Sequence, residues 1–184
     1  MRRIFAFLRA VNVGGRTIRM EHLRGHFEAI GLKGAETFIA SGNVIFPATR
    51  ASAATIERRI ESQLAAELGY EVRTFLRNES EIAAIVAHQP LGYGSPEFAG
   101  TLLVGFVAQP PTPNTIHALK ALETKTDTFH VHGREVYWNC RIPQNESLVS
   151  NAKIERALEA GVTFRNINTI NRLAKKYGIN ASPP

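Results

Sequence analysis

The chain has a single cysteine, Cys140, and nothing for it to pair with. An intramolecular disulfide and a thiolate metal cluster are both excluded, and this usage suits a reducing compartment, so a cytoplasmic location is expected. No apolar run approaches the roughly 20 residues needed to cross a bilayer, so no membrane partner is expected. The opening Arg2-Arg3-Ile4-Phe5-Ala6-Phe7-Leu8 starts like a secretory leader. Arg9 and Asn12 interrupt it and no small-residue cleavage site follows, so it reads as a strand. Also missing are a G-x-G-x-x-G dinucleotide fingerprint, a phosphate loop closed by Gly-Lys-Ser/Thr, paired carboxylates and an activated nucleophile. No cofactor and no reaction class is implied. Val44-Ile45-Phe46 lacks the aromatic-bearing motif with which RNA-recognition sheets stack bases.

What is present suits a folded protein. The 184 residues are 44% hydrophobic and 21% charged, inside the globular range. The net charge of +6 is uneven: residues 1–77 hold 12 Lys+Arg against 7 Asp+Glu, the remainder 10 against 9. A basic first half raises the odds of a phosphate-bearing partner.

Periodicity orders the elements. Ile4 to Val11 reads as a strand, and Met20, Leu23, Phe27 and Ile30 recur at helical spacing up to Gly31. Two strand-like runs, Thr37–Ala40 and Val44–Phe46, flank Ser41-Gly42-Asn43, a hairpin signal. Ile56, Ile60, Leu64 and Leu68 predict a helix over 53–68 ended by Gly69, and Val72–Leu76 reads as the next strand. A short helix over 79–87 precedes the breaker-rich stretch 89–100, read as a linker. The order then recurs: a strand over 101–107, a helix over 115–122, a hairpin over 129–140 around Gly133, a helix over 150–160, a strand near Val162 and a closing helix over 170–177.

Short residue echoes accompany the repeated order. Thr37-Phe38-x-x-x-Gly42 returns as Thr128-Phe129-x-x-x-Gly133, and Ala54-x-Ile56-Glu57-Arg58 as Ala152-x-Ile154-Glu155-Arg156. The expected fold is therefore α+β: duplicated ferredoxin-like βαββαβ units, each an antiparallel sheet with helices on one face. The domains are expected at 1–77 and 101–184, joined by a helix and linker over 78–100. The first strand and 101–107 are apolar on both faces, so the second face of each sheet should be covered, by the other repeat or by a dimer partner. Both monomer and homodimer are compatible with this.

Four ordered segments carry a resemblance. Leu8-Arg9-Ala10-Val11-Asn12-Val13-Gly14-Gly15, Met20-x-x-Leu23, the run Thr37 to Phe46, and Thr163-x-Arg165-Asn166-x-x-Thr169 together resemble the bacterial domain of unknown function 1697 family. Ala10 stands where that pattern has Gly, and Ile167 where it has an aromatic. The resemblance implies a cytoplasmic protein with two ferredoxin-like halves and supplies no activity.

The leading candidate site is Asn12-Val13-Gly14-Gly15-Arg16-Thr17, between a strand and a helix, where backbone N–H groups and an arginine suit a phosphate or carboxylate. A glycine turn used for its conformation alone is the competing reading. Ser41 and Asn43 join the site if the hairpin tip folds toward it. Near the C-terminus, Asn168 or Thr169 is placed to cap the last helix, whereas Arg165 and Asn166 have no evident capping duty and are candidate ligand contacts. Arg9, Arg16 and Arg165 are expected to converge on one anion if the halves face each other.

Other patterns read as structural. His22 and His26 stand four apart on a helix, and His130 and His132 share one strand face, spacings a metal could use, but no third ligand is in register and no metal is expected. Ser150-x-x-Lys153 reads as a helix cap, and Cys140 as a buried thiol. Two functions fit: binding of an anionic small molecule or nucleic acid through the basic glycine loop, or an enzyme acting on a small anionic metabolite between the halves. A protein–protein interaction module is the third option.

Overall fold

A computed structural model describes residues 2–11, 17–39, 42–88 and 90–180. It divides into two compact units, Met1–Ile82 and Ala83–Pro184.

The first unit begins with β1, Arg3–Leu8, which pairs antiparallel with β3, Asn43–Pro47, and with β4, Thr74–Asn78. A short β2, Glu36–Thr37, edges the sheet, giving the order β2-β3-β1-β4. Helices α1, Met20–Ala29, and α2, Ala53–Leu68, cover one face. Leu23 and Phe27 from α1 and Ile56, Ile60 and Leu64 from α2 are buried with Ala6, Leu8, Val44, Phe46 and Leu76 of the sheet. The four-residue spacing on α2 makes that stripe. Ser52 starts the helix by accepting from the Thr55 N–H at 3.3 Å, and Gly69 ends it at φ 73°.

The expected strand over 37–40 shrinks to Glu36–Thr37. Ile39 turns left-handed at φ 51°, and the Asn43 amide donates to the Phe38 carbonyl at 3.1 Å, so the chain leaves the ladder three residues early. The strand expected over 72–76 runs instead from Thr74 to Asn78. Helix α3, Glu79–Ala87, follows it without a break and ends in the second unit.

That unit repeats the connectivity. Strand β5, Thr101–Phe106, pairs antiparallel with β7, Glu135–Cys140, and β8, Thr163–Asn166, while β6, Asp127–His132, edges the sheet in the order β6-β7-β5-β8. Helices α4, Pro113–Lys120, and α5, Asn151–Leu158, carry Leu119, Ile154 and Leu158 into a core with Phe129, Val136, Trp138 and Val162. Gly105 is fixed by close approach: a Cβ there would lie 2.5 Å from the Phe164 ring. Helix α5 stops at Leu158, not Ala160, because Glu159 turns left-handed at φ 52°.

The last helix, α6, Ile167–Lys176, starts three residues before the expected position, directly after β8. It packs on β5 and β8 and buries Ile167, Ile170 and Leu173. The faces of both sheets that point away from α1, α2, α4 and α5 are buried, through Phe5, Phe7, Ile45 and Phe75 in one and Leu102, Val104, Phe106 and Tyr137 in the other.

The repeated glutamates do similar work. Glu57 of α2 accepts from the Leu76 N–H in β4 at 3.1 Å, and Glu155 of α5 accepts from the Val162 N–H just before β8 at 2.9 Å. No helix of the described residues is long and apolar enough to cross a membrane.

Candidate functional site

The described candidate residues of the first unit lie at the end of β1 and the start of β3. The Leu8 N–H donates to the Gly42 carbonyl at 2.8 Å, and the Arg9 N–H donates to the Arg73 carbonyl at 2.8 Å. These bonds continue the β1–β3 and β1–β4 ladders one residue beyond the strand ends. A Cβ on Gly42, at φ 68°, would lie 3.3 Å from Leu8 Cβ and 3.5 Å from Val11 Cβ. Two non-glycine residues here are left-handed, Ala10 at φ 63° and Ile39 at φ 51°. For a β-branched residue such as Ile39 this is a conformational outlier, and such strain concentrates where surrounding structure or function requires it. A glycine at position 10 would suit this backbone better than the alanine present.

Two arginines stand at this end. Arg9 is half-buried, while the Arg73 side chain is 64% exposed and lies 3.6 Å from Glu61. Helix α1 begins here with an extended Arg19 that supplies no side-chain cap, so its opening N–H groups are not closed by the residue that most often does so. Glu21 in the first turn is the one opposing charge on that turn.

Of the expected contacts, Asn12, Gly14, Gly15, Arg16 and Ser41 lie outside the described residues. Asn43 is buried, and its amide holds the hairpin through Phe38. Arg165 belongs to the second unit, where burial lowers its pKa to about 10. Its Nη1 donates to Thr163 Oγ1 at 2.9 Å and to the Phe164 carbonyl at 2.8 Å. Asn166 corrects the capping expectation: it, not Asn168 or Thr169, caps α6, its Oδ1 accepting from the Asn168 N–H at 2.8 Å. The cause is the early start of the helix, which moves the cap position back to the last residue of β8.

Ser150 is the cap of α5, accepting from the Lys153 N–H at 3.4 Å, while the Lys153 ammonium donates to the Leu148 carbonyl. Cys140 is buried, and burial raises its thiol pKa, so a reactive thiolate is disfavoured.

A third histidine lies beside His130 and His132 although none is in register with them in the sequence. His88, just beyond α3, brings its ring centroid to 5.1 Å from that of His130 and 4.5 Å from that of His132. One nitrogen of each of the three rings lies within 4.8 Å of the others. Burial, then the neighbouring His132 and His130, lowers the His88 pKa; burial, then His132 and Lys120, lowers that of His130. His88 escapes a reading of the sequence because 42 residues separate it from His130.

Two four-stranded antiparallel sheets with helices beside them define an α+β protein. Its family follows from sequence: the model described as "Protein of unknown function (DUF1697)" matches residues 1–137, and the chain belongs to that family. No curated protein matches. Among solved structures, a conserved bacterial protein from Streptococcus pneumoniae is similar with a TM-score of 0.72 and 21% identity, over 95% of this chain and 97% of that one. At that identity the likeness speaks for the fold alone.

Proposed function

We propose that this protein binds a small phosphate-bearing or other anionic ligand at the junction between β1 and α1. The observation that supports the reading is the Leu8–Gly42 hydrogen bond, which sets Gly42, the sequence neighbour of Ser41, beside the end of β1, shortly before Asn12 in the chain. A strand, a glycine segment and a helix start without a side-chain cap make a setting in which backbone N–H groups and the helix dipole favour an anion. Arg9 and Arg16 supply the charge, with Asn12, Gly14, Gly15 and Ser41 as the remaining contacts. Asn43 acts beneath the site by holding the hairpin. Arg165 and Asn166 are left out, because a buried guanidinium bonded within its own strand and a helix cap are already in use.

The matching strand orders, the paired glutamates Glu57 and Glu155, and the positive φ of both Gly42 and Gly133 support reading the two units as duplicated ferredoxin-like folds. On that reading only the first copy carries the glycine-rich anion segment.

Native mass spectrometry of the purified full chain tests the function. A phosphate-bearing adduct on the wild type that disappears in Arg9→Ala/Arg16→Ala is the expected result. An adduct that persists in the double variant, or a protein that takes up neither inorganic phosphate nor pyrophosphate, removes the reading. Steeply salt-dependent binding of mixed nucleic acid without a saturable small-anion site would replace it with an electrostatic nucleic-acid surface.

A further inference from the structure

The second unit holds a group of side chains that the anion reading does not use. We propose that His88, His130 and His132 form a three-nitrogen binding site for a divalent transition-metal ion of the zinc class.

The backbone that presents these rings is well fixed. His130 and His132 alternate onto the same face of β6, where the ladder pairs them with Tyr137 and Glu135 of β7. His88 closes the last turn of α3, its N–H donating to the Ala84 carbonyl at 3.0 Å. A short turn at Pro90–Gly92 then packs on β6 and holds this end of the helix against the strand. The site therefore draws on two separate elements.

Nitrogens within 4.8 Å of one another are near the spacing a shared ion needs. With Zn–N bonds of about 2.0–2.1 Å, tetrahedral ligands sit roughly 3.3 Å apart. The remaining contraction falls to rotation about the bond that carries each imidazole, a broad and soft torsion.

A second observation points to a ligand. The Nε2 atoms of His88 and His130 are buried and have no hydrogen-bond partner. Buried polar atoms are satisfied in the great majority of cases, so two orphans in one cluster call for a specific cause. A metal ion would take up such lone pairs. Burial also favours the neutral imidazole, which is the form that ligates.

The competing explanation is aromatic packing. The His88 ring stacks on those of His130 and His132 at interplanar angles of 29° and 24°, with the Tyr137 ring 5.0 Å away. Stacking needs flat rings but not ring nitrogens, and it leaves both Nε2 atoms unsatisfied. Packing thus accounts for the contact distances and not for the orphaned atoms.

Donor chemistry sets the class of ion. Three imidazoles without a carboxylate or thiolate suit zinc, cobalt, nickel or copper, and not calcium or magnesium, which take oxygen. Three protein ligands leave a fourth position open, and the exposure of His132 turns that position toward water. Lys120 of α4 lies close enough for its charge to lower the His130 pKa, and that charge opposes a dication.

Cobalt titration of the chelator-treated full chain, read by the visible absorption of four-coordinate Co2+, tests the proposal, with zinc then measured by displacement. One ion per chain is expected. His88→Phe and His132→Phe, which keep a flat ring and discard the nitrogens, should each weaken binding tenfold or more with an unchanged circular dichroism spectrum. Lys120→Gln should tighten binding, and His22→Ala/His26→Ala should leave it unaltered. If His88→Phe does not fold, the exposed His132 variant decides. The proposal is overturned if the wild type shows no saturable cobalt or zinc uptake, if the phenylalanine variants bind as well as wild type, or if the loss follows His22 and His26.

Discussion

Replacing Asp127 should destabilise the second unit by about 3–5 kcal/mol, through one orphaned donor more than through the lost charge. The Asp127 side chain is fully buried yet accepts four hydrogen bonds. Its Oδ1 accepts from Trp138 Nε1 at 2.9 Å and Ser147 Oγ at 2.8 Å, and its Oδ2 from Thr124 Oγ1 at 2.8 Å and Thr126 Oγ1 at 2.9 Å. In Asp127→Ala the three hydroxyls belong to half-buried residues and can turn to water, each at a cost of about 0.5–1 kcal/mol. The Trp138 indole is fully buried and cannot, so its N–H adds the desolvation penalty of about 1–3 kcal/mol.

Asp127→Asn should cost roughly half as much, because one of its two side-chain termini can still accept. Urea unfolding checks this, followed by the fluorescence of Trp138, the sole tryptophan, and by far-ultraviolet circular dichroism for variants that lack it. In the double variant Asp127→Ala/Trp138→Phe the orphan is gone, so the loss should fall short of the sum of the single losses by at least about 1 kcal/mol. A strictly additive cycle would refute the reasoning.

The same carboxylate predicts a pH dependence. Burial pushes its pKa up, but bonds from Thr124, Ser147, Trp138 and Thr126 outweigh burial and leave it below the usual aspartate value. Its contribution should be complete above the unfolded aspartate pKa, near 4, and fade as pH falls through the lower folded value; a wild type and Asp127→Asn with parallel stability profiles between about pH 2 and 5 would contradict this. Gly105→Ala should cost about 1–3 kcal/mol in a denaturant melt, since the new methyl meets the Phe164 ring and the Val162 side chain. Asn166→Ala should lose about 1 kcal/mol of stability while Thr169→Ala loses little, a contrast that locates the cap of α6. Ala10→Gly should be neutral or stabilising by up to about 1 kcal/mol despite the added chain entropy, because it relieves a left-handed alanine.

Helices were the most legible part of the sequence. The limits of α2 and α3 coincide with those expected, and for α2 the four-residue apolar spacing and the Gly69 stop are the signals that set them. Strand ends were less so. A strand's limit depends on its partner, and the left-handed Ile39 that shortens β2 carries no local signal, isoleucine being a good strand former. The start of α6 was misplaced because β8 runs into it with no breaker between them, and Asn166 serves both as the end of the strand and as the cap.

Site residues divide the same way. Arg165 stands out in the sequence as a charge without a local duty, but only the fold reveals a buried strand arginine bonded to its own neighbours. The mutual placement of His130 and His132 follows from strand alternation, whereas His88 joins them through the path of the turn after α3, which no spacing rule encodes.

The functional account rests on an anion seated between β1 and α1. Two-dimensional amide NMR of the full chain, titrated with pyrophosphate, tests it residue by residue. Saturable shifts confined to 9–21 and 39–43, abolished in Arg9→Ala/Arg16→Ala, are the expected result. Shifts that map to other segments, or a spectrum that pyrophosphate leaves unmoved, would contradict it.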